Sequence, residues 1–409
     1  MEVMAMPGPV GDDLARLIGE RVERQRRRRG LSRSQLSQMV SRTERWMGLL
    51  EQEGRGALRL DNLVDLARAM RIDDLSALVG RRFTATALEV PEHPAVPEIR
   101  HALTHSLLNP APDAQPCSSG NLESRIRHAW DAWHVSRTQN TQLGLLLPSL
   151  LRGTAALTRA TTGAQRRKAY AIATRVYLIG QRFAYGVRAL NLAVQFTDRA
   201  LLAAEMSDDA RLMALAGWGS AMTSLTARQP QEAEQTALAA LRHVARPAST
   251  SDASARGALL LFAAMGAAGD RRTADAWRHW EEAERVSTEI GRHVDVETMF
   301  SAVNVGIYSV AVNMECGRTS NAMSSATDLD PRKMPSSNRR ATHFIDLART
   351  YDKAGDRDAA RGAVLDSVKA STETIAYNPD GRQLVAGLAR AGATSNDEIS
   401  YLADRLGLS

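Results

Sequence analysis

Apolar residues in the first 80 positions recur every three or four residues, which is the spacing of amphipathic helices. Residues 12–29 form the first such segment, and Gly30 is placed to end it. Asp61 can cap a later segment, and a last short helix is predicted over 74–79. Residues 31–53 lie between these segments and hold two further helices. The pattern therefore predicts a domain of five short helices.

The two central helices are joined by a tight turn at Ser41 and Arg42. Ser32 and Gln35 are three residues apart, as in a capping box that begins the first of them. Thr43 is a favourable N-cap for the second. Two short helices with such a turn are typical of a helix-turn-helix.

The helix that begins after Thr43 has two unlike faces. At about 100° per residue, one side carries Trp46, Met47 and Leu50. The opposite side carries Glu44, Arg45, Gly48 and Gln52. One face can pack while the other stays free, which is the arrangement that a DNA recognition helix needs.

Two segments, LSQMVSRTERW (36–46) and LRLDNLVDLARAM (58–70), resemble actinobacterial transcriptional regulators of the XRE family, whose DNA-binding domain is of the lambda-repressor/Cro type. The resemblance implies a Cro/C1-type helix-turn-helix domain over 1–82 that binds a double-stranded operator as a homodimer. Two departures have structural consequences. Ser41 replaces the usual turn glycine, so we expect mild backbone strain there. Glu53 replaces a glycine that often ends the third helix, so we expect that end to run on or fray.

The candidate DNA-binding residues lie on the free face of the recognition helix and on its flanks. Arg45 can pair with guanine, or it can contact only phosphate; Glu44 can accept from cytosine, or it can merely favour the helix N-terminus. Other arginines sit where the motif usually meets the phosphate backbone. The run of four arginines at 26–29 is expected to be a solvated helix end. The full set is Arg33, Arg42, Thr43, Glu44, Arg45, Gly48, Arg55 and Arg59.

The chain changes character after residue 82. Residues 83–120 hold six of the 14 prolines and are predicted to be a linker with one short helix over 98–108. From 121 to 409 the pattern is helical throughout, in about 13 or 14 segments, and the tetrapeptide Ala-Gly-Asp-Arg recurs at 268 and 354. Breaks come about every 40 residues, close to the tetratricopeptide period. An all-α chain with a tetratricopeptide-like superhelix is predicted, and a generic helical bundle is the alternative.

The resemblance to the same regulators extends over 129–151, 304–317 and the last repeat, 343–371. It implies a domain that dimerises and senses a peptide, small molecule or protein, in regulators often of secondary metabolism or development. Polar residues on repeat helices could contact such an effector, or they could serve as caps and interhelical hydrogen bonds. The candidates are Asn304, Tyr308, Gln181, Tyr185, Asn191 and Gln195.

The composition of the chain narrows the possible classes of function further. Of the net charge of +6, residues 1–82 carry +4, as expected for a domain that meets phosphate. Two cysteines give no disulfide framework or metal set, and His101 and His105 lack a third ligand. We expect no cofactor, metal, catalytic residue, signal peptide or membrane span, and hence a cytoplasmic, nucleoid-associated protein that is not an enzyme.

Two functions are compatible with these patterns. The first is a sequence-specific transcriptional regulator with a sensing repeat domain. The second is an interaction scaffold that a weakly specific basic domain tethers to DNA. A sequence-selective footprint would separate the two.

Overall fold

The computed structural model describes residues 9–54, 60–70, 72, 76–79, 90–108, 118–327, 329–334, 336–391 and 398–408. All regular elements within these ranges are helices, which confirms the all-α prediction. The chain divides into two compact units, Met1–Glu89 and Val90–Ser409. Each unit has a hydrophobic core of its own.

The first unit contains the five predicted helices. They are α1 (Pro9–Arg28), α2 (Arg33–Met39), α3 (Glu44–Glu53), α4 (Leu60–Ala69) and α5 (Ser76–Val79). Their apolar faces meet in one core, whose fully buried members include Leu36, Met47, Leu50 and Leu66. The sequence periodicity therefore reports the packing face of each helix correctly.

The helix ends of this unit follow from single residues. Ser32 and Gln35 close the capping box of α2, and Thr43 accepts from the backbone N–H of Trp46 to cap α3. Ser41 has φ 52°, so the expected strain at the turn is present. The expectation that α3 would run on or fray is wrong, because Gly54 ends it in a left-handed conformation with φ 70°.

Gly54 also lies against α1. A Cβ at this position would stand 2.2 Å from the backbone carbon of Ala15, so no side chain fits there. The glycine that ends α3 is thus one residue later than the resemblance suggests, and it is required both for the turn and for the packing. The helix predicted from Asp61 begins at Leu60.

The first helix of the second unit is α6 (Val96–Leu108), which corresponds to the short helix predicted over 98–108 within the linker. Val96, Ile99, Ala102 and Leu103 of this helix are buried in the large core of the unit. The described part of the predicted linker before residue 109 is therefore part of the folded unit. Burial of one apolar stripe explains the difference, since proline frequency alone does not report whether a short helix packs.

Fifteen further α-helices follow in the described residues, slightly more than the 13 or 14 expected. They are α7 (Ser119–Val135), α8 (Gln139–Ala160), α9 (Gly163–Gly186), α10 (Leu190–Ser207), α11 (Ala210–Thr226), α12 (Pro230–Ala240), α13 (Thr250–Gly269), α14 (Thr273–Ile290), α15 (Ala302–Glu315), α16 (Thr319–Thr327), α17 (Ser337–Ala354), α18 (Arg357–Ala370), α19 (Thr372–Tyr377), α20 (Pro379–Ala391) and α21 (Glu398–Arg405).

These helices stack as pairs, the arrangement of tetratricopeptide-like repeats. Consecutive helices pack together, as α9 does with α10, α13 with α14 and α17 with α18. Odd-numbered helices also contact each other in sequence from α7 to α15, and α17 contacts both α7 and α19. The odd-numbered helices therefore form a connected row of their own.

The turns between paired helices share one backbone design. A residue with positive φ follows the first helix, and the next N–H reaches back to a carbonyl of the last turn, as Arg272 does to Ala267 at 2.9 Å. Arginine occupies this left-handed position at Arg188, Arg228 and Arg271. The two Ala-Gly-Asp-Arg copies differ in register, because Arg271 is left-handed in one and Gly355 in the other.

Small residues allow close helix crossings. A Cβ on Gly217 would stand 2.4 Å from the Cβ of Ala240, and a Cβ on Gly219 would stand 2.7 Å from Oε1 of Gln181. Gly217 and Gly219 flank Trp218 on α11. This explains a glycine-rich segment that carries no nucleotide-binding signature.

The two ends of the stack meet. The backbone N–H groups of Asn140 and Thr141, in the first turn of α8, donate to the carboxylate of Glu373 at 2.6 and 3.2 Å. Thr138, the N-cap residue of α8, makes no side-chain cap of its own. Glu373 thus caps α8 from a helix more than 200 residues away in sequence. The predicted stack of pairs is present, and it is closed on itself.

Glu373→Ala should therefore weaken the closure. Loss of a capping carboxylate costs about 0.5–2 kcal/mol, and the effect should concentrate in the first turn of α8. Hydrogen exchange of the Asn140 and Thr141 amides measures it directly. Glu281→Ala, at an exposed site on α14, is the matched control and should change neither amide. Equal protection of both amides in Glu373→Ala and the wild type would contradict the capping role.

Candidate functional sites

The first candidate site is the uncovered face of α3. Met47 and Leu50 are fully buried, whereas Thr43, Glu44 and Arg45 are exposed at the start of the helix. A Cβ added at Gly48 would meet no atom within 4 Å, so the helix surface is open there. The structure thus brings together four of the predicted DNA-binding residues on one accessible patch.

Arg42 lies beside this patch. Its guanidinium stands 5.5 Å from the ring centroid of Trp46 and donates to Oδ1 of Asn62 at 3.2 Å. These contacts hold the side chain between α3 and α4 while leaving the residue exposed. Arg55 and Arg59 lie outside the described residues.

Arg33 belongs to a network that sequence reasoning missed. Glu51 on α3 has a fully buried side chain, and it accepts from Arg33 Nε at 2.7 Å and from Arg26 Nε at 2.6 Å. Arg26 also donates to the carbonyl of Leu31 at 2.8 Å. One carboxylate thereby joins α1, α2 and α3 and fixes α3 against the other two helices.

The prediction that the arginine run at 26–29 is a solvated helix end is wrong for Arg26, which is buried; Arg27, Arg28 and Arg29 are exposed. The physical reason is Glu51, which offers a buried counter-charge. Its signal in the sequence is a carboxylate on the apolar face of α3, four residues after Met47 and so on the same side of the helix.

The charge of Glu51 depends on its partners. Burial alone would raise the pKa of Glu51, but the hydrogen bonds from Arg26 and Arg33 outweigh it and leave the pKa below the usual value. Because the folded-state pKa is lowered, the contribution of Glu51 to stability is present above about pH 4.3 and is lost as the pH falls through the folded-state pKa.

The second candidate site is a cavity of about 430 Å³ in the C-terminal unit. Most of its lining comes from the odd-numbered helices α7, α9, α11, α13, α15, α17 and α19. Aromatic side chains dominate one part of the wall, where Phe262 stands 5.7 Å from Trp218 and 5.9 Å from Tyr308 between ring centroids. The row of inner helices therefore lines a cavity of the size that small ligands occupy.

Three arginines line the cavity: Arg188 is exposed, Arg339 is half-buried and Arg182 is buried. Arg182 on α9 is 5% exposed, stacks at 4.0 Å over the ring of Trp218, and donates from one terminal nitrogen to the sulfur of Met222 at 2.8 Å. Its Nε and its other terminal nitrogen have no hydrogen-bond partner. Burial, and then the like charge of Arg339, lower the pKa of Arg182 to about 9.

Arg339 on α17 is held in place. It donates to Oδ1 of Asn304 at 2.6 Å and to the carbonyl of Thr298 at 3.2 Å. The two carboxylates of the lining pair with other arginines. Glu297 pairs with Arg211 at 2.7 Å, and Asp346 stands 3.7 Å from Arg349.

The structure separates the predicted effector residues into three groups. Tyr308 and Tyr185 line the cavity, and Tyr185 donates to Oγ1 of Thr223 at 2.6 Å. Asn304 and Gln181 are buried behind the lining; Asn304 orients Arg339, and Gln181 donates to Thr197 and to the carbonyl of Gly219.

Asn191 and Gln195 are exposed on α10 and do not line the cavity. α10 packs through Leu192 and Phe196, so these polar residues fall on its solvent side. Sequence reasoning missed Arg182 and Arg339. The available signal was an arginine within the apolar segment LIGQRFAYG (178–186).

Comparison with known proteins gives remote likenesses only. No family model matches the chain, and no curated protein matches it. A Rap protein complexed with competence and sporulation factor is similar at 11% identity and a TM-score of 0.43, over 71% of this chain and 94% of that one. PlcR from Bacillus thuringiensis, in complex with the peptide PapR7 and DNA, is similar at 10% identity and a TM-score of 0.31, over 85% of this chain and 99% of that one. At these values neither likeness carries an argument about function.

Two features are absent from the described residues. None of their helices has the length and apolar character that a bilayer crossing requires. No group of three or more histidine, cysteine or acidic side chains is arranged there to hold a metal ion.

Glu51→Ala should loosen the contact of α3 with α1 and α2. Removing one partner of a buried ion pair costs about 3–5 kcal/mol, because the remaining charges are left uncompensated. Hydrogen exchange of the α2 and α3 amides near neutral pH measures the loss. The difference from the wild type should shrink as the pH falls through the folded-state pKa of Glu51.

Gln52→Ala, at the exposed neighbouring position, is the control and should change the opening free energy by less than about 0.5 kcal/mol. If Glu51→Ala behaves like Gln52→Ala, the network does not position the recognition helix.

Proposed function

We propose that the protein is a sequence-specific DNA-binding transcriptional regulator. Its first unit binds a double-stranded operator through α3, and its second unit binds an effector in the cavity lined by the inner helices. The observation that carries the proposal is the uncovered start of α3, where Arg45 and Glu44 are exposed and Gly48 leaves the helix surface open.

The chemistry of this patch suits base recognition. An arginine can donate two hydrogen bonds to guanine O6 and N7, and a carboxylate can accept from the amino group of cytosine. A helix without a side chain at Gly48 can approach base edges closely. The opposite side of α3 is anchored by Met47, Leu50 and Glu51, so the patch belongs to a fixed helix.

The surrounding charge supports a phosphate partner. Residues 1–82 carry a net charge of +4, and Arg27, Arg28, Arg29 and Arg45 are exposed. Arg33 and Arg26 contribute less positive charge than a count of the arginines suggests, because Glu51 neutralises part of their charge. We infer that the operator has two half-sites bound by a homodimer and that the protein acts in the cytoplasm on the nucleoid.

Arg45→Ala tests the recognition helix. We expect a loss of about 1–3 kcal/mol at one base position and a relaxed preference there, measured by selection from a random DNA library followed by titration of single-base variants. Arg28→Ala removes the same charge from an exposed site on α1 and should weaken binding to all sequences alike.

An equal loss by Arg45→Ala on every sequence would restrict Arg45 to phosphate contact. A wild-type protein without any sequence preference would contradict the regulator and favour the tethered scaffold.

Effector control should depend on the cavity. A ligand changes operator affinity only through its different affinity for the two states, and a typical coupling of about 1–3 kcal/mol corresponds to roughly 5- to 150-fold. We expect the small-molecule fraction of the source cells to change operator affinity of the full chain within that range. Tyr308→Ala combined with Tyr185→Ala should reduce the response.

The control is Asn191→Ala combined with Gln195→Ala, which changes two exposed residues of α10 outside the cavity. This double variant should respond as the wild type does. Identical responses of the two double variants would show that the effector acts elsewhere.

A further inference from the structure

The cavity contains a buried positive charge without a counter-ion. Arg182 is 5% exposed, and no carboxylate of the described residues pairs with it. Taking a charged group out of water is costly unless another charge and hydrogen bonds compensate it. A pKa of about 9 still leaves the guanidinium charged at neutral pH. The free protein therefore carries an electrostatic cost at this position.

The present contacts of Arg182 compensate it only weakly. The sulfur of Met222 is a poor acceptor, and the ring of Trp218 at 4.0 Å offers a cation–π contact. Nε and one terminal nitrogen remain without an acceptor. A guanidinium presents parallel N–H groups that match the two oxygens of a carboxylate, and such charge-assisted pairs are among the stronger hydrogen bonds in proteins.

The neighbourhood adds to the preference for an anion. Arg339 also lines the cavity, and its positive charge further disfavours the charged form of Arg182. Asn304 and the carbonyl of Thr298 hold Arg339 in place without neutralising it. The lining carboxylate Glu297 is paired with Arg211. An incoming anion thus meets the guanidinium groups of Arg182 and Arg339, while the two lining carboxylates, Glu297 and Asp346, face other arginines.

The remainder of the site is apolar. Trp218, Phe262 and Tyr308 form a continuous aromatic wall, and the volume of about 430 Å³ admits a small organic molecule or a few residues of a peptide. A ligand for this cavity therefore needs an anionic end and an apolar body.

We propose that the cavity binds an organic carboxylate, with its anionic group against Arg182 and its apolar part on the wall formed by Trp218, Phe262 and Tyr308. The ligand is either a small aromatic acid or a short peptide with a free carboxyl terminus. This inference rests on the proposed effector function and names the chemistry of the effector.

A first experiment needs no ligand. Arg182→Met removes the unpaired charge and keeps an unbranched apolar side chain, so the melting temperature of the free protein should stay the same or rise by about 2–4 °C. Arg211→Met is the contrast, because Arg211 pairs with Asp295 and Glu297 at 2.7 Å each, and this variant should melt lower. A decrease for Arg182→Met as large as that for Arg211→Met would make Arg182 a structural residue and overturn the proposal.

A second experiment uses two pairs of matched probes. The first pair is N-acetyl-L-phenylalanine and its amide, and the second is the tetrapeptide Ala-Ala-Leu-Phe with a free or an amidated carboxyl terminus. Calorimetric titration of the full chain should show at least about 10-fold tighter binding of the free acid in one pair, the value of a hydrogen bond to a charged group. The pair that shows the preference identifies the source of the carboxylate.

The ratio of the affinity for the acid to that for the amide should fall to about one in Arg182→Met. The ratio should persist in Arg166→Met, which changes an exposed site on the same helix. Equal affinity for acid and amide, a preference that survives in Arg182→Met, or no binding of any probe at millimolar concentration would each overturn the proposal. Carboxylate binding that leaves operator affinity unchanged would count against the effector function and leave this inference standing. Effector control of operator affinity without a preference for the acid would overturn this inference and leave the effector function standing.

Discussion

The hydrogen bonds from the first turn of α8 to Glu373 hold together the two ends of the helical stack. A stack of helix pairs whose ends stay apart offers an extended concave surface. Here α17 and α19 return to α7 and α8, and the inner helices surround a cavity with residues from both ends. Trp133 and Tyr377 thus share one cavity although they lie 244 positions apart in sequence. The site depends on closure, and the cap that Glu373 supplies to α8 is one of the contacts that maintain it, beside the hydrogen bonds of Thr374 with Gln139 and of Thr372 with Arg137.

Buried arginines are handled differently in the two units. In the first unit Glu51 receives two of them, and this pairing joins three helices around the recognition surface. In the second unit Arg182 is as deeply buried, and its guanidinium contacts a sulfur and an aromatic ring but no carboxylate of the described residues. A paired charge fixes a structure, whereas an unpaired one leaves an interaction available to a ligand. The paired arginines therefore make the first unit rigid around α3, whereas Arg182 leaves the second unit a contact that a ligand can complete.

Local patterns predicted the parts of the structure that are locally determined. The capping box at Ser32 and Gln35, the cap at Thr43 and the two faces of α3 follow from residues three or four positions apart. Tyr185 and Tyr308, both proposed as effector contacts, do line the cavity. The caps and the two faces of α3 needed only local spacing, whereas the position of the two tyrosines at a cavity depends on how the helices pack.

The features that escaped prediction depend on which helices meet. Nothing near Arg26 in the sequence indicates that Glu51 will lie against it, and the unpaired state of Arg182 is defined only once the neighbouring helices are in place. Asn191 and Gln195 resembled the other polar candidates in spacing, yet α10 is an outer helix at that point. Long-range pairing and the side of a helix that faces the cavity are properties of the tertiary structure.

The left-handed arginines at the turns bear on how this fold tolerates change. The left-handed conformation costs a residue that has a Cβ roughly 1–2 kcal/mol. Arg228 and Arg271 both adopt this conformation, and neither lines the cavity. Stability is therefore left unused at two turns of the second unit that do not line its cavity, as expected for a protein kept only above the threshold it needs. A lineage in which glycine arose at either turn would gain a margin within which the cavity wall could vary, so the ligand range could diverge while the closed stack persisted.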